Sequence, residues 1–298
     1  MSVLSLASSL NMRYLHDLDD ITGLERARES RVVLNDHEVG RLLTGAGYEY
    51  VHLGSWADFS QTAASADRVL TDQSAFAINA EFVRLSIVMP LQSLFRGEFG
   101  GRQAVGTYYL QKIHGLNQVQ ALTELAQEEP DHAQFVFAHL ILPHEPYVFD
   151  VDGSILPPSA TEELGVEAAY GRQLEFTNRF LLDLVTRLQR REDPPIIIIQ
   201  ADEGPLPEGF FDIEDVPFET MSEADDRMHN AIFSAVFIPD GMLPLSEGEP
   251  VTSVNIIRAA MAHALGQPFE RLEDHSYSFA NEWMGPYREI TDLAFSTP

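Results

Sequence analysis

Residues 194–205 read PPIIIIQADEGP, four consecutive isoleucines that stop on an acidic pair and a Gly-Pro turn. A β-branched run without alternation describes a strand buried on both faces, as inside a parallel sheet. A second near-continuous apolar run, AQFVFAHLIL, predicts a strand over 134–142, and shorter runs predict strands over 48–54 and 231–238. Between them the spacing of apolar positions becomes helical. Leu6, Leu10 and Tyr14 predict a helix over 2–16, with Ser2 or Ser5 available as its N-cap. An Asn/Asp-capped helix then runs up to a stop at Gly45 or Gly47. Two longer helical patterns cover 74–95 and 107–127, and a long amphipathic one covers 162–191, with arginines near its C-terminus as the helix dipole favours. Residues 206–227 read as an acidic loop, and a last helix is predicted over 253–265.

Strands separated by helices argue an α/β fold, a mostly parallel open sheet covered by helices on both faces. No linker or internal repeat divides the sequence, so 1–298 reads as a single domain.

Composition narrows the function classes. At 298 residues and 45% hydrophobic, the chain has ample material for a core. It contains no window of 18 apolar residues; the nearest, LSIVMPLQSLF, is short and includes Pro90. The opening SVLSLASSLNMRYLHD lacks a basic n-region and turns polar too soon for a signal peptide. With no cysteine, disulfides and thiolate metal sites are excluded. The formal net charge is -27, with Lys112 the single lysine. Such a surface repels nucleic acid and anionic lipid, so neither is an expected partner. An anionic substrate would need a metal or a local positive field to receive it.

The candidate chemistry lies at strand ends, where open parallel sheets place their ligands. Asp202 and Glu203 follow the isoleucine strand; a solvated turn is the plain alternative. His144 follows the 134–142 strand between Pro143 and Pro146, which stiffen its backbone. His139 reads as a hydrogen-bonded core residue, and His37 and His52 as structural, since their spacing matches no metal motif. His229 reads as opening a strand on the opposite edge, away from the site, and Asp225 and Arg227 as loop residues. The Gly-rich FRGEFGGRQAVG lacks the Lys-Ser/Thr of a phosphate loop and reads as a connection.

The segments FVFAHLILPHEPYVFDVDG, YGRQLEFTNRFLLDLV, PPIIIIQADEGP and AVFIPDG, in that order and spacing, resemble the sulfatase-like hydrolases and transferases of the alkaline phosphatase superfamily. The likeness is to the lipoteichoic-acid-synthase-like branch, with which LSLASSLNMRYL and DHSYSFANEWMGPY also agree, and it covers nearly the whole chain. The resemblance implies attack on a phosphate or sulfate ester, a phosphodiester of glycerophosphate type favoured, by a Ser or Thr hydroxyl assisted by divalent metal. Ser2 falls at the hydroxyl position, with Ser5 as fallback. Asp202 and Glu203 fall at metal-ligand positions, and His144 at the position that holds the ester oxygens. An all-carboxylate site favours Mn or Mg over Zn.

The resemblance also implies a substrate that is a small-molecule or lipid-linked phosphate or sulfate ester. Relatives are membrane-anchored bacterial proteins with an extracytoplasmic catalytic domain. Two departures stand out. The first strand, which in relatives ends in a metal-binding acid, is missing here, as expected of a fragment or a misplaced start. In addition, the usual Asp-His pair is Asp202-Glu203. The alternative reading is a degenerate member that binds an anionic glycan or lipid head group without turnover.

Overall fold

The computed structural model describes residues 2–15, 23–55, 57–70, 105–204, 222–239, 241, 251–279 and 287–295. The helical pattern predicted over 74–95, most of the Gly-rich connection and most of the acidic loop lie outside the described residues. In chain order the elements are α1 (Ser2–Leu10), α2 (Gly23–Asn35), α3 (Glu38–Gly45), β1 (Glu49–Leu53) and β2 (Arg68–Val69). They continue with α4 (Val105–Leu125), β3 (Gln134–Ala138), α5 (Pro158–Leu164), α6 (Val166–Gln189) and β4 (Ile197–Gln200). The chain then forms α7 (Glu223–Asn230), β5 (Ser234–Phe237), α8 (Ser253–Leu265), β6 (Tyr277–Phe279), β7 (Tyr287–Glu289) and α9 (Thr291–Phe295). The fold is mixed α/β. It groups into two compact units: Met1–Tyr50 with Ala63–Ser65 and Asp193–Pro298, and Val51–Thr62 with Ala66–Glu192.

The second unit contains a small parallel three-stranded sheet, in the order β2-β1-β3. Val51 stands opposite Arg68, and His52 opposite Val69. Helix α4 turns a face of His114, Gln118, Leu122 and Leu125 inward, the spacing that a 3.6-residue period dictates. Leu122 and Leu125 pack with Val51 and Leu53, and Phe180 and Leu184 of α6 close on the same cluster. Gln118 donates to the carbonyls of Gly54 (2.9 Å) and His139 (2.7 Å), joining the ends of β1 and β3. Arg191 donates to Leu125 O (3.0 Å), the last residue of α4, and to Glu128 O (2.7 Å) just beyond it. The helix predicted over 162–191 is two helices, because Gly165 takes a φ of 77° that breaks the run.

In the first unit α1 buries Val3, Leu4, Ala7 and Leu10 and packs on α2 and α8. It ends at Leu10, short of the predicted 16, where Met12 takes a left-handed φ of 55°. Its carbonyl accepts from Arg258 Nη1 at 2.8 Å. Helix α2 carries no clear apolar stripe in GLERARESRVVLN and was not legible from periodicity. Helix α3 is capped by the His37 side chain instead of Asn35 or Asp36. His37 Nδ1 accepts from Gly40 N (2.9 Å), so its Nε2–H faces Tyr50 Oη at 2.8 Å. That residue is structural, as the sequence suggests.

The isoleucine strand departs from expectation in its pairing. β4 pairs antiparallel with β5, Ile197 opposite Phe237 through Gln200 opposite Ser234, and is half-buried. A β-branched run specifies a strand but not its partner or direction. Here α7 hands the chain straight into β5, and Ala201 N donates to Phe233 O at 2.9 Å, so the return strand runs the opposite way. Among the described residues, no helix is long and apolar enough to cross a membrane.

Candidate functional site

The end of β4 forms a short arch. Ala201 is held to Phe233 on one side, and Gly204 N donates to His229 O at 2.7 Å on the other. Asp202 and Glu203 sit between these two anchors. Gly204 is required by close approach, since a Cβ there would overlap the carbonyl oxygen of Met228. Gly204→Ala is therefore expected to lower stability by about 1–3 kcal/mol, because backbone must move to relieve the overlap. Gly171→Ala, where a Cβ meets nothing within 4 Å, is the control and should be neutral or mildly stabilising. Urea unfolding of both variants checks this.

Helix α1 brings its first residue to the arch. Ser2 Oγ donates to Glu203 Oε1 at 3.3 Å, in a partly buried setting. The helix positions Ser2 through the burial of Val3, Leu4 and Ala7 behind it. Its free N-terminal N–H groups favour negative charge at that end. Ser5, the fallback hydroxyl, lies within α1, one turn in from its first residue. The structure thus brings together Ser2 and Glu203, residues 201 positions apart in sequence.

Asp202, Glu203 and the Ser2 hydroxyl are hard oxygen donors of the kind that Mg and Mn take. Those cations need about six ligands, and among the described residues no group of three or more His, Asp or Glu side chains could hold a metal ion.

His144 belongs to the other compact unit. It is exposed, on a turn whose Leu142-Pro143 and Glu145-Pro146 bonds are both cis. Its Nδ1–H donates to Glu145 O at 2.7 Å. The turn borders a shallow cleft with His114, Ile141, Leu142, Glu145 and Phe149. Its shape is set by Gln173 of α6, which is wholly buried. Gln173 Nε2 donates to Pro143 O (3.1 Å) and His144 O (2.8 Å), while Oε1 accepts from Val148 N (2.8 Å) and Phe149 N (3.2 Å). Nearby, Ser60 accepts at its carbonyl from His52 Nε2 (2.9 Å). Its hydroxyl meets His139 Nδ1 (2.7 Å) and Ser55 Oγ (2.6 Å). His52 and His139 are thus hydrogen-bonded packing residues.

Three assignments change around α7. Asp225 is the N3 residue of a capping box with Ser222, and Arg227 lies inside the helix, so neither is a loop residue. His229 does not open a strand; it is in the last turn of α7, with Nδ1–H donating to Gly204 O at 3.1 Å. The Ser-x-x-Asp of SEAD was the available signal for this helix. Nothing in the sequence points from His229 to a carbonyl 25 residues away. No known family model matches this sequence, and no curated protein matches it.

Proposed function

We propose that this chain carries an ester-transfer site of the sulfatase-like type. Ser2 Oγ attacks the phosphorus or sulfur of the ester as Glu203 takes the hydroxyl proton. The bond to the ester oxygen breaks and the alcohol leaves with that proton, and water or an acceptor alcohol then takes the group from Ser2. A phosphodiester is the favoured substrate class. The observation that carries this reading is the Ser2 Oγ–H to Glu203 Oε1 bond. A serine hydroxyl is a weak nucleophile until an adjacent base takes its proton, and this pair supplies that arrangement. The amino end of α1 gives the developing negative charge a favourable place. Asp202 adds a second carboxylate to the same arch.

The test is turnover of an aryl phosphodiester and an aryl sulfate, with and without Mn or Mg. Ser2→Ala should abolish turnover, and Glu203→Gln should lower kcat by about 100-fold or more, the scale of a lost general base. If wild type binds a non-hydrolysable phosphonate analogue yet turns over neither ester, the chain is the non-catalytic binder instead. Metal dependence is read separately, from melting in a Mn titration. A cation held at the arch raises Tm by mass action in wild type but not in Asp202→Asn. An equal response in both proteins makes the acids a solvated turn.

A further inference from the structure

We infer that His229 is the positioning residue of this site: it clamps the Asp202–Glu203 arch and so holds the Glu203 carboxylate against Ser2. The inference rests on the reading of Ser2 and Glu203 as the reacting pair. His229 does not touch Ser2 or Glu203; it acts through the backbone of Gly204.

The clamp has two points. Gly204 N donates to the backbone oxygen of His229, one of the carbonyls that the last turn of α7 leaves without an intrahelical partner. The His229 side chain returns the bond, its Nδ1–H donating to Gly204 O. Since a carbonyl only accepts, this bond fixes the proton on Nδ1. The residue directly after Glu203 is therefore held at both its N–H and its C=O by a single residue. His229 itself is only 5% exposed, which restricts its ring to one position.

The helix carrying the clamp is also anchored. Asp226, one turn earlier and 2% exposed, is ion-paired with Arg288 of β7 and accepts from Ser278 Oγ of β6 at 3.2 Å. The Asp226 carbonyl accepts from Asn230 Nδ2 at 2.9 Å. Helix α7 is thus tied to the β6-β7 ribbon on one side and to the arch on the other. A carboxylate that must face a hydroxyl at hydrogen-bond distance gains from such a fixed backbone, because small misplacements of a reacting group lower rate steeply.

Amide exchange by NMR on the 298-residue chain tests the clamp without reference to activity. His229→Ala should speed exchange at the Gly204 amide by about tenfold or more, the scale of one lost hydrogen bond. Amides of α8 should be unchanged. His229→Asn carries a donor nitrogen at the δ position and should restore slow exchange. His229→Gln carries its donor one atom further out and should not. The inference is overturned by unchanged Gly204 exchange in His229→Ala, by an equal acceleration in α8, or by Gln rescuing as well as Asn. A second readout is kinetic: His229→Ala should lower kcat about tenfold with KM little changed, and Asn should recover it. If wild type turns over no ester, the ester-transfer reading fails, while the exchange pattern still decides the clamp.

Discussion

Gln173→Met is expected to destabilise the Val51–Glu192 unit by about 3–5 kcal/mol in urea unfolding, the largest single effect among the substitutions considered. Methionine keeps the length of glutamine and fills the same space, so lost volume is not the cause. The effect comes from the four backbone groups that Gln173 serves. Val148 and Phe149 are 3% and 0% exposed, so water does not replace the acceptor their N–H groups lose. Each orphaned buried donor costs about 1–3 kcal/mol. Pro143 O and His144 O accept in only partly buried settings, where solvent can compensate in part. Gln173→Glu separates the two halves of this argument, because it keeps an acceptor for Val148 and Phe149 while losing both donors. It should be destabilised too, and it should recover as pH falls and the buried carboxyl takes up a proton. A Gln173→Met protein as stable as wild type would mean that the turn holds its shape through Pro143, Pro146 and packing alone.

That turn shows where sequence reading stops. Periodicity and β-branching report whether a segment is buried and with what repeat, and they located β1 within 48–54, β3 within 134–142 and α8 at its observed bounds. They carry no information on which strand pairs with which. The isoleucine run satisfies the pattern of a central parallel strand, but β4 is half of an antiparallel pair. Gln173 lies on a helix whose buried residues are Ala169, Gln173 and Thr177, and nothing in its neighbours says that this amide is buried. The same limit holds for the candidate site. Strand-end position singled out Asp202, Glu203 and His144, and Ser2 came only from the resemblance of ordered motifs to a family; that Ser2 meets Glu203, while His144 belongs to the other compact unit, has no pattern in composition or spacing. His229 could not be found that way, since it acts through a backbone carbonyl, and a side chain's bond to a distant main-chain atom leaves no pattern in sequence.

Lowering the pH from 7 to 5 is expected to cost the Val51–Glu192 unit about 2 kcal/mol through His114 alone. Burial, and secondarily the proximity of His139, pushes His114 down to about 4. Its surroundings explain the first cause: Gly115, Ile141, Leu142, Pro146, Val148 and Phe149 make most of the lining of the same cleft apolar, with His144 and Glu145 its polar members. In the unfolded chain the ring titrates near the ordinary value of about 6.5. The folded value is the lower one, so the unfolded state binds the extra proton between about pH 6.5 and 4 and stability falls as pH falls through that window. Above it both states are neutral and the contribution is fully present; below about 4 both are charged and the loss levels off. His52 is lowered as well, by burial and against the opposing bond to the Ser60 carbonyl, so it adds to the loss in the same direction. The window from 7 to 5 lies above the range in which Asp150 and Asp152 titrate, both held low, Asp150 chiefly by the Val151 N–H and Asp152 by Ser154. Histidine is therefore separated from carboxylate titration by the choice of pH. Urea unfolding of wild type and His114→Leu at both pH values isolates the group. The variant should lose about 2 kcal/mol less than wild type between 7 and 5, whatever its stability at pH 7. Identical pH slopes in the two proteins would show that His114 is free to take up a proton in the fold, and that the packing of α4 against this turn is looser than its burial implies.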